Sequence, residues 1–428
     1  MSNNSKLEWK FTQVFGDKMI ADKVSEEDVI SAMKFDSTGK YLALGDRAGR
    51  LIVFQRTLSK KTKKNFSEFN YVTEIQSHFR DFDYLKSIDI DEKINCIEWL
   101  PPQNDNMFIL TSNDKTVKLW KIGNKSVKKS EKFINRKYLT EDSLSLPKLK
   151  LIDQGLCPTL KRTYPNLHQY NVHSVSIFQD GQNFLTADDL GIYLWDLESI
   201  QSSYMLVNIK PDKIDDLSEV ITTCTASPLT DSNFVYGTSK AIIKLADLRE
   251  SVNCTNTGLK IVDNSTKPSK NFFTDIISSI SDVKFTMDGR YLVSRDFLSV
   301  KTWDPRMPKT PLLTTALYEP LKTKLCELYE NDSIFDKFDV SLAPNSQYCL
   351  TGLYDNKFHI TDVTTYNNTQ FELNFKRKTV SKSIGKNYFE HMPLSYDFTK
   401  KALKTAWNPV SNCIVIASLN CLFFYNGF

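Results

Sequence analysis

The sequence predicts an all-β protein built as a seven-bladed propeller with a protruding β-hairpin arm. Three observations carry this. Seven segments share one strand–turn–strand–acidic turn–strand pattern. Their strands alternate apolar and polar residues with period two and are rich in Val, Ile, Phe and Tyr, as half-buried strands require. The last segment also runs to within a few residues of the C-terminus with only three strands.

The units follow in chain order. The first, ISAMKFDSTGKYLALGDRAGRLIVF, ends at Phe54, and the second, INCIEWLPPQNDNMFILTSNDKTVKLW, at Trp120. The third, VHSVSIFQDGQNFLTADDLGIYLWD, contains Trp195, and the fourth has Ala246 at the equivalent place. The fifth contains Trp303, the sixth has Thr361, and the seventh, LKTAWNPVSNCIVIASLNCLFFY, ends at Tyr425. These end positions lie 51 to 75 residues apart. A plain WD40 repeat takes about 40–45 residues, so every unit carries an insertion. Asp46, Asp114, Asp188, Asp296 and Asp355 precede the third strand at one register, where a short acid can accept turn amides. One blade cannot bury both of its faces, whereas seven in a ring can. The N-terminal LEWKFTQVFG supplies the seventh unit's missing strand, so residues 1–428 read as one propeller closed by its two ends.

Composition narrows the function. The chain has 428 residues, 55 basic and 51 acidic, a net charge of +4 too balanced for a dedicated nucleic-acid binder. No apolar run reaches the length of a membrane span and the N-terminus has no signal-peptide pattern, so neither nucleic acid nor membrane is an expected partner. The eight cysteines form no C-x-x-C pair and read as reduced thiols, pointing to a cytoplasmic location, with the nucleus also open. None of the five histidines has metal-ligand spacing, and nucleophile-elbow, P-loop and kinase motifs are missing. We therefore expect no enzyme, no catalytic residues, no metal and no cofactor. The acidic pairs Asp91–Glu92, Asp188–Asp189 and Asp215–Asp216 sit in polar turns without the desolvation a carboxylate acid needs.

Charge is unevenly spread. Residues 121–170 hold eleven basic and four acidic residues, and within them 122–165 has the length of an arm that leaves the disc and returns as a hairpin. Residues 188–219 hold eight acids and two lysines, and DFDYLKSIDIDE at 81–92 is acidic as well. An acidic propeller face attracts basic peptides and speeds their encounter.

The residues also carry a resemblance. GDRAGRLIVFQ, FDYLKSIDIDEKIN, LTSNDKTVKLWKI, TADDLGIYLWDLE, DLSEVITTCTASP, NFFTDIISSISDVKF, GRYLVSRDFLSVKTWD, KLCELYENDSIFDKF and LKTAWNPVSN occur in order along nearly the whole chain. NFFTDIISSISDVKF and LYENDSIFDKF are not generic WD40 features. Together they resemble the WD-repeat regulatory B-type polypeptide, 55-kDa class, of serine/threonine protein phosphatase 2A. The resemblance implies a non-catalytic subunit that binds a helical-repeat scaffold through the arm and presents phosphoprotein substrates, or inhibitors, to a catalytic subunit. It maps substrate docking onto Asp189 and Leu217, flanked by Tyr170, Asp215 and Asp216, with Arg47, Asp91 and Glu92 further along an acidic top surface. Phe82 and Leu85 would face the catalytic subunit. Asp189 could pair with a basic residue of a short helical motif whose apolar residue rests on Leu217. Two departures stand out: Gly191 replaces the basic residue usual after ADDL, and the acidic pair before Leu217 is Asp-Asp rather than longer glutamates. On repeats and composition alone, a general WD40 adaptor, such as a ubiquitin-ligase substrate receptor or a chromatin scaffold, remains the alternative.

Overall fold

A computed structural model of the chain describes residues 9–16, 24–58, 67–102, 106–130, 149–165, 167–250, 258–264, 272–365, 368–373, 381–383 and 397–427. Seven antiparallel sheets stand in a ring. Blade 1 is Ile30–Phe35, Tyr41–Asp46, Arg50–Leu58 and Ser67–Gln76. Blade 2 is Cys96–Trp99, Met107–Ser112, Val117–Ser130 and Leu149–Tyr164. Blade 3 is Ser174–Ile177, Asn183–Ala187, Gly191–Asp196 and Ser203–Asn208. Blade 4 begins at Ile221–Ala226, blade 5 at Asp282–Phe285 and blade 6, with five strands, at Val340–Leu342. Blade 7 consists of Lys404–Trp407, Cys413–Ser418 and Cys421–Gly427, and its outer strand is the N-terminal Trp9–Phe15.

The alternating pattern puts one apolar face of each blade against the next, and the core divides into seven clusters, one per seam. Between blades 1 and 2, for example, Ala43, Leu51 and Val53 meet Ile94, Ile97 and Ile109. Around the channel the innermost strands are too splayed for backbone pairing, so side chains bridge them. The Ser174 and Ser176 hydroxyls accept from the Cys224 and Ala226 amides at 3.2 and 3.0 Å. Thr225 donates to the Val283 carbonyl at 2.9 Å, and Ser341 to that of Thr405 at 2.7 Å.

The seam between blades 7 and 1 joins the ends of the chain. Within blade 7 itself, Trp9 is buried edge-on against Trp407, centroids 5.3 Å apart, on the side that packs against Leu350 and Phe358 of blade 6. Phe69 of blade 1 stacks on Phe424 at 4.9 Å. The Gln13 amide donates to the Phe69 carbonyl at 2.8 Å and accepts from the Phe69 amide at 2.9 Å, replacing a backbone pair with a side chain. At the far end Asn408 donates to the Gly39 carbonyl at 2.8 Å. Gly39 has φ of +66°, and a Cβ there would lie 2.3 Å from the Asn408 oxygen, so glycine is required.

Two further elements leave the ring. Val117–Ser130 and Leu149–Tyr164 pair along their whole length, from Val117 with Tyr164 to Ser130 with Leu149. This is a hairpin far longer than the blade strands beside it. The tip of the expected arm, 131–148, lies outside the described residues. A small hairpin, Asp81–Asp83 with Ile88–Ile90, stands between blades 1 and 2.

Trp9→Ala should lower unfolding stability by about 3–5 kcal/mol, because it empties a buried seam. Tyr204→Ser on an exposed edge should change it by under ~0.5 kcal/mol, both read from denaturant midpoints. Burial holds the His78 and His359 imidazoles at about 3 and His173 at about 4, so all three are neutral in the folded chain. A depressed imidazole contributes stability above its unfolded value of about 6.5 and loses it as pH falls. Thermal unfolding followed against pH should therefore be flat above about 7 and fall steeply from about 6.5 to about 4.

Candidate functional site

The adjacent acids Asp188 and Asp189 follow the strand Asn183–Ala187, and the tight turn to Gly191–Asp196 sends their side chains to different environments. Asp188 is buried. One of its carboxylate oxygens accepts the Leu190 and Gly191 amides at 2.9 and 2.6 Å, and the other lies 3.0 Å from His168 Nδ1. His168 Nε2 is 2.7 Å from the Thr186 hydroxyl, which also accepts from the Trp195 indole at 2.8 Å. The chain of bonds is satisfied throughout when His168 carries its proton on Nδ1. Burial pushes the Asp188 carboxyl up, but His168 and the two amides outweigh it and hold the group below its usual value. Asp188 is thus a structural acid that ties the turn to the blade.

Asp189 differs. Its backbone carbonyl accepts from Ile221 at 2.8 Å, fixing it to blade 4, while its half-buried carboxylate makes no hydrogen bond or ion pair among the described residues. Burial raises its pKa, opposed at longer range by Lys337 and Lys115. A partly desolvated carboxylate held by its backbone and left without a partner is prepared to receive a cation.

The other sequence-derived positions gather around it. Ile214–Asp216 forms one 3-10 turn in the loop into blade 4, exposing Asp215 and Asp216, and Leu217 ends that turn with its side chain 37% exposed. Tyr170, half-buried, follows buried His168 by two residues in the segment entering blade 3. Gln169 beside it accepts Lys115 Nζ on its carbonyl and Lys210 Nζ on its side chain, both at 3.0 Å. Asp189, Leu217, Tyr170 and the Asp215–Asp216 turn therefore share one sector of the rim at blades 3 and 4.

Arg47, Asp91 and Glu92 occupy another sector, at blades 1 and 2. Arg47 is exposed and 3.7 Å from Glu26, and the Asp91 carbonyl accepts from Asn113 at 3.1 Å. Glu92 packs against the Gly49 turn, where a Cβ on Gly49 would lie 2.7 Å from the Glu92 carbonyl. Phe82 and Leu85 stand apart on the small hairpin, with Tyr84 and Ile88 exposed beside them, Leu85 at 98%. Gly191 is buried and lacks positive φ, and a Cβ there would press on Tyr193 at 3.2 Å.

Sequence reasoning missed two sets of residues. The Asp188–His168–Thr186–Trp195 network had a signal, since hydroxyl and tryptophan are nine residues apart both here and at Ser294–Trp303. The second set lines the central channel. Lys337 and Lys404 line it and Lys404 also borders the space at Arg47, while Glu98, Asp282 and Asp339 line the same channel, so both signs meet there. The channel, about 450 Å³, is lined by residues of all seven blades, and its ion pairs include Lys34–Glu98 at 2.6 Å, Lys284–Asp282 at 3.3 Å and Lys404–Asp339 at 3.0 Å. Among the described residues no group of three His, Cys, Asp or Glu could hold a metal ion, and no helix is long and apolar enough to cross a membrane.

Known proteins align with this architecture. The family described as WD domain, G-beta repeat matches residues 86–121 and 159–196. The chain is 39% identical to the B-type regulatory subunit of protein phosphatase 2A from Schizosaccharomyces pombe, over 98% of both chains. It is 38% identical to the beta isoform of the 55 kDa B-type regulatory subunit of serine/threonine protein phosphatase 2A from Arabidopsis thaliana, over 98% of this chain and 97% of the relative. It is 39% identical to the protein phosphatase 2A 55 kDa regulatory subunit of Drosophila melanogaster, over 99% and 88%.

Asp188→Ala should destabilise the fold by about 2–4 kcal/mol, since three donors lose a buried acceptor, whereas Asp189→Ala should stay within about 0.5 kcal/mol. Asp188 contributes its stability above the unfolded carboxyl value of about 3.8 and loses it as pH falls further. Asp189, shifted upward, costs stability as it ionises above that same value. Paired denaturation curves of the two variants against pH separate these roles.

Proposed function

Because the chain belongs to the 55-kDa B-type regulatory family of serine/threonine protein phosphatase 2A, we propose that it recruits substrates to that phosphatase within a heterotrimer, in the cytoplasm and nucleus. The family's members are named regulatory subunits, and this chain is a regulatory subunit rather than a catalytic one. In this reading the hairpin arm of 122–165 holds the scaffold subunit. The arm's long paired stem and its basic composition support that role, because it reaches beyond the disc without disturbing the ring. The exposed Phe82 and Leu85 face the catalytic subunit, supported by an apolar hairpin tip with no packing of its own in the ring.

Substrate docking falls to the rim at blades 3 and 4. The observation that carries it is the unpaired, half-buried carboxylate of Asp189 within the same sector as exposed Leu217. A short helix bearing one basic and one apolar residue on the same face meets both: the cation pairs with Asp189 and the apolar group covers Leu217. Tyr170, Asp215 and Asp216 border the contact, and Arg47, Asp91 and Glu92 meet the flanks. Docking of this kind raises the local concentration of substrate at the phosphatase without altering the chemical step.

Affinity purification should recover scaffold and catalytic chains in near-equal amounts with this protein, and recovery as a lone folded chain would refute the assignment. Replacing 124–157 by a short turn should abolish that recovery while leaving the propeller folded. Asp189→Lys should weaken substrate binding at least tenfold, about 1.4 kcal/mol or more, with assembly intact. Loss of assembly instead would make Asp189 structural.

A further inference from the structure

We propose that Lys244 is a positioning residue for docking: its buried ion pair with Glu219 holds the loop of 209–221 so that Leu217 stands at a fixed place relative to Asp189. This rests on the docking reading above and adds the device that sets its geometry.

The loop begins and ends on one turn. The Ile209 amide donates to the Leu190 carbonyl at 2.9 Å, and the Ile221 amide to the Asp189 carbonyl at 2.8 Å. Between these bonds every side chain from Asp212 to Ser218 is exposed, Leu217 among them. The Asp216 and Leu217 amides donate to the Lys213 and Ile214 carbonyls and so shape the 3-10 turn Ile214–Asp216, but they attach it to no blade. On the entry side Lys210 reaches the Gln169 side chain, an exposed bond. Firm attachment falls to the residues just after Leu217. Glu219 accepts Lys244 Nζ at 3.0 Å. The Val220 amide donates to the Ser239 hydroxyl at 3.1 Å, and its carbonyl accepts the Ser239 amide at 2.9 Å.

Lys244 stands where the strand pattern calls for an apolar residue. It lies on Ile243–Asp247, directly opposite Tyr236 and two residues before Ala246, both of which belong to the cluster between blades 3 and 4. Only 6% of the residue is exposed, and Nζ sits 5.5 Å from the Tyr236 ring centroid. A buried amine has to be paired, whereas an apolar side chain there would need no partner. Losing one member of such a pair leaves the other charge uncompensated, so the pair specifies one arrangement of the loop. The second Glu219 oxygen is buried without a donor among the described residues. Lysine meets the carboxylate at a point, while the planar fork of an arginine can meet both oxygens. Arginine at this position should therefore hold the turn, and methionine, of similar length but neutral, should release it. Asp189 is held by its backbone and Leu217 through Glu219. A helix bearing one basic and one apolar residue meets both without first ordering the loop, a cost that otherwise falls on binding.

The test uses the full-length chain and a helical peptide with Arg and Leu on one face. Binding is read by fluorescence anisotropy, and amide exchange over 209–221 by mass spectrometry. We expect Lys244→Met and Glu219→Gln each to weaken peptide binding about fivefold. Exchange at Asp216 and Leu217 should speed up about tenfold, with the denaturant midpoint near that of the parent chain. Lys244→Arg should bind at least as tightly as the parent. Combining Lys244→Met with Glu219→Gln should weaken binding no more than either change alone, because both remove one pair. If the two losses add, or if affinity and exchange stay as they are, Lys244 does not position the turn. A lowered midpoint in both neutral variants, with Lys244→Arg no better, makes the lysine structural only and also overturns the proposal. If Lys244→Met leaves binding unchanged while Asp189→Lys abolishes it, the docking reading stands without this device. If the parent chain binds no peptide, the docking reading fails, and exchange alone decides whether the pair holds the turn: faster exchange in the neutral variants sustains it and unchanged exchange ends it.

Discussion

The seam between blade 7 and blade 1 is the constraint on which the rest of the structure depends. Every other blade is built from segments that follow one another in the chain. Blade 7, which forms one side of this seam, joins residues more than four hundred positions apart in the pairing of Trp9 with Gly427. Without Trp9–Phe15 the last sheet would show an open three-stranded edge, and blade 1 would lose the Phe15 ring against Phe54 and the Gln13 bonds to Phe69. Backbone pairing supplies the register there. The Gln13 amide bonds to Phe69 bind the outer strands across the seam, and the Asn408–Gly39 bond binds the turns. Closure fixes the angle between successive blades, and that angle sets both the channel and the distances across the rim.

A rigid ring makes a rim useful. The residues read as functional sit on turns that need no internal packing, because the blades beneath are already satisfied. The Asp188 network shows how this works: one acid, His168, Thr186 and Trp195 lock the turn, which leaves Asp189 held by its backbone alone with its side chain free. Stability and recognition are thus divided between neighbours in sequence. The same division recurs at blade 1, where Asp46 accepts from the Arg50 backbone and guanidinium at 2.8 and 2.6 Å while the same turn leaves Arg47 outward.

The charge pattern of the rim follows from ring geometry too. The acidic stretch around 188–219 occupies one arc of the perimeter, whereas the channel pairs both signs, Lys34 with Glu98 and Lys404 with Asp339, because strands distant in the chain converge there.

The number of blades, the period-two strands, the turn acids and the closure by the N-terminal strand were legible in the sequence because each depends on residues close together in the chain or on a strand count. Asp189, Leu217 and their flanks could be named there from motifs. Which of two adjacent aspartates is buried and bonded was not legible, since that depends on where His168 and the Leu190 and Gly191 amides come to rest. Nor was the charge pairing in the channel, because Lys34 and Glu98, or Asp339 and Lys404, are more than sixty residues apart and a local charge count cannot see them meet. Periodicity and turn chemistry are local and survive in one dimension, whereas desolvation and Coulomb interactions sum over distance in space, which only the closed ring determines.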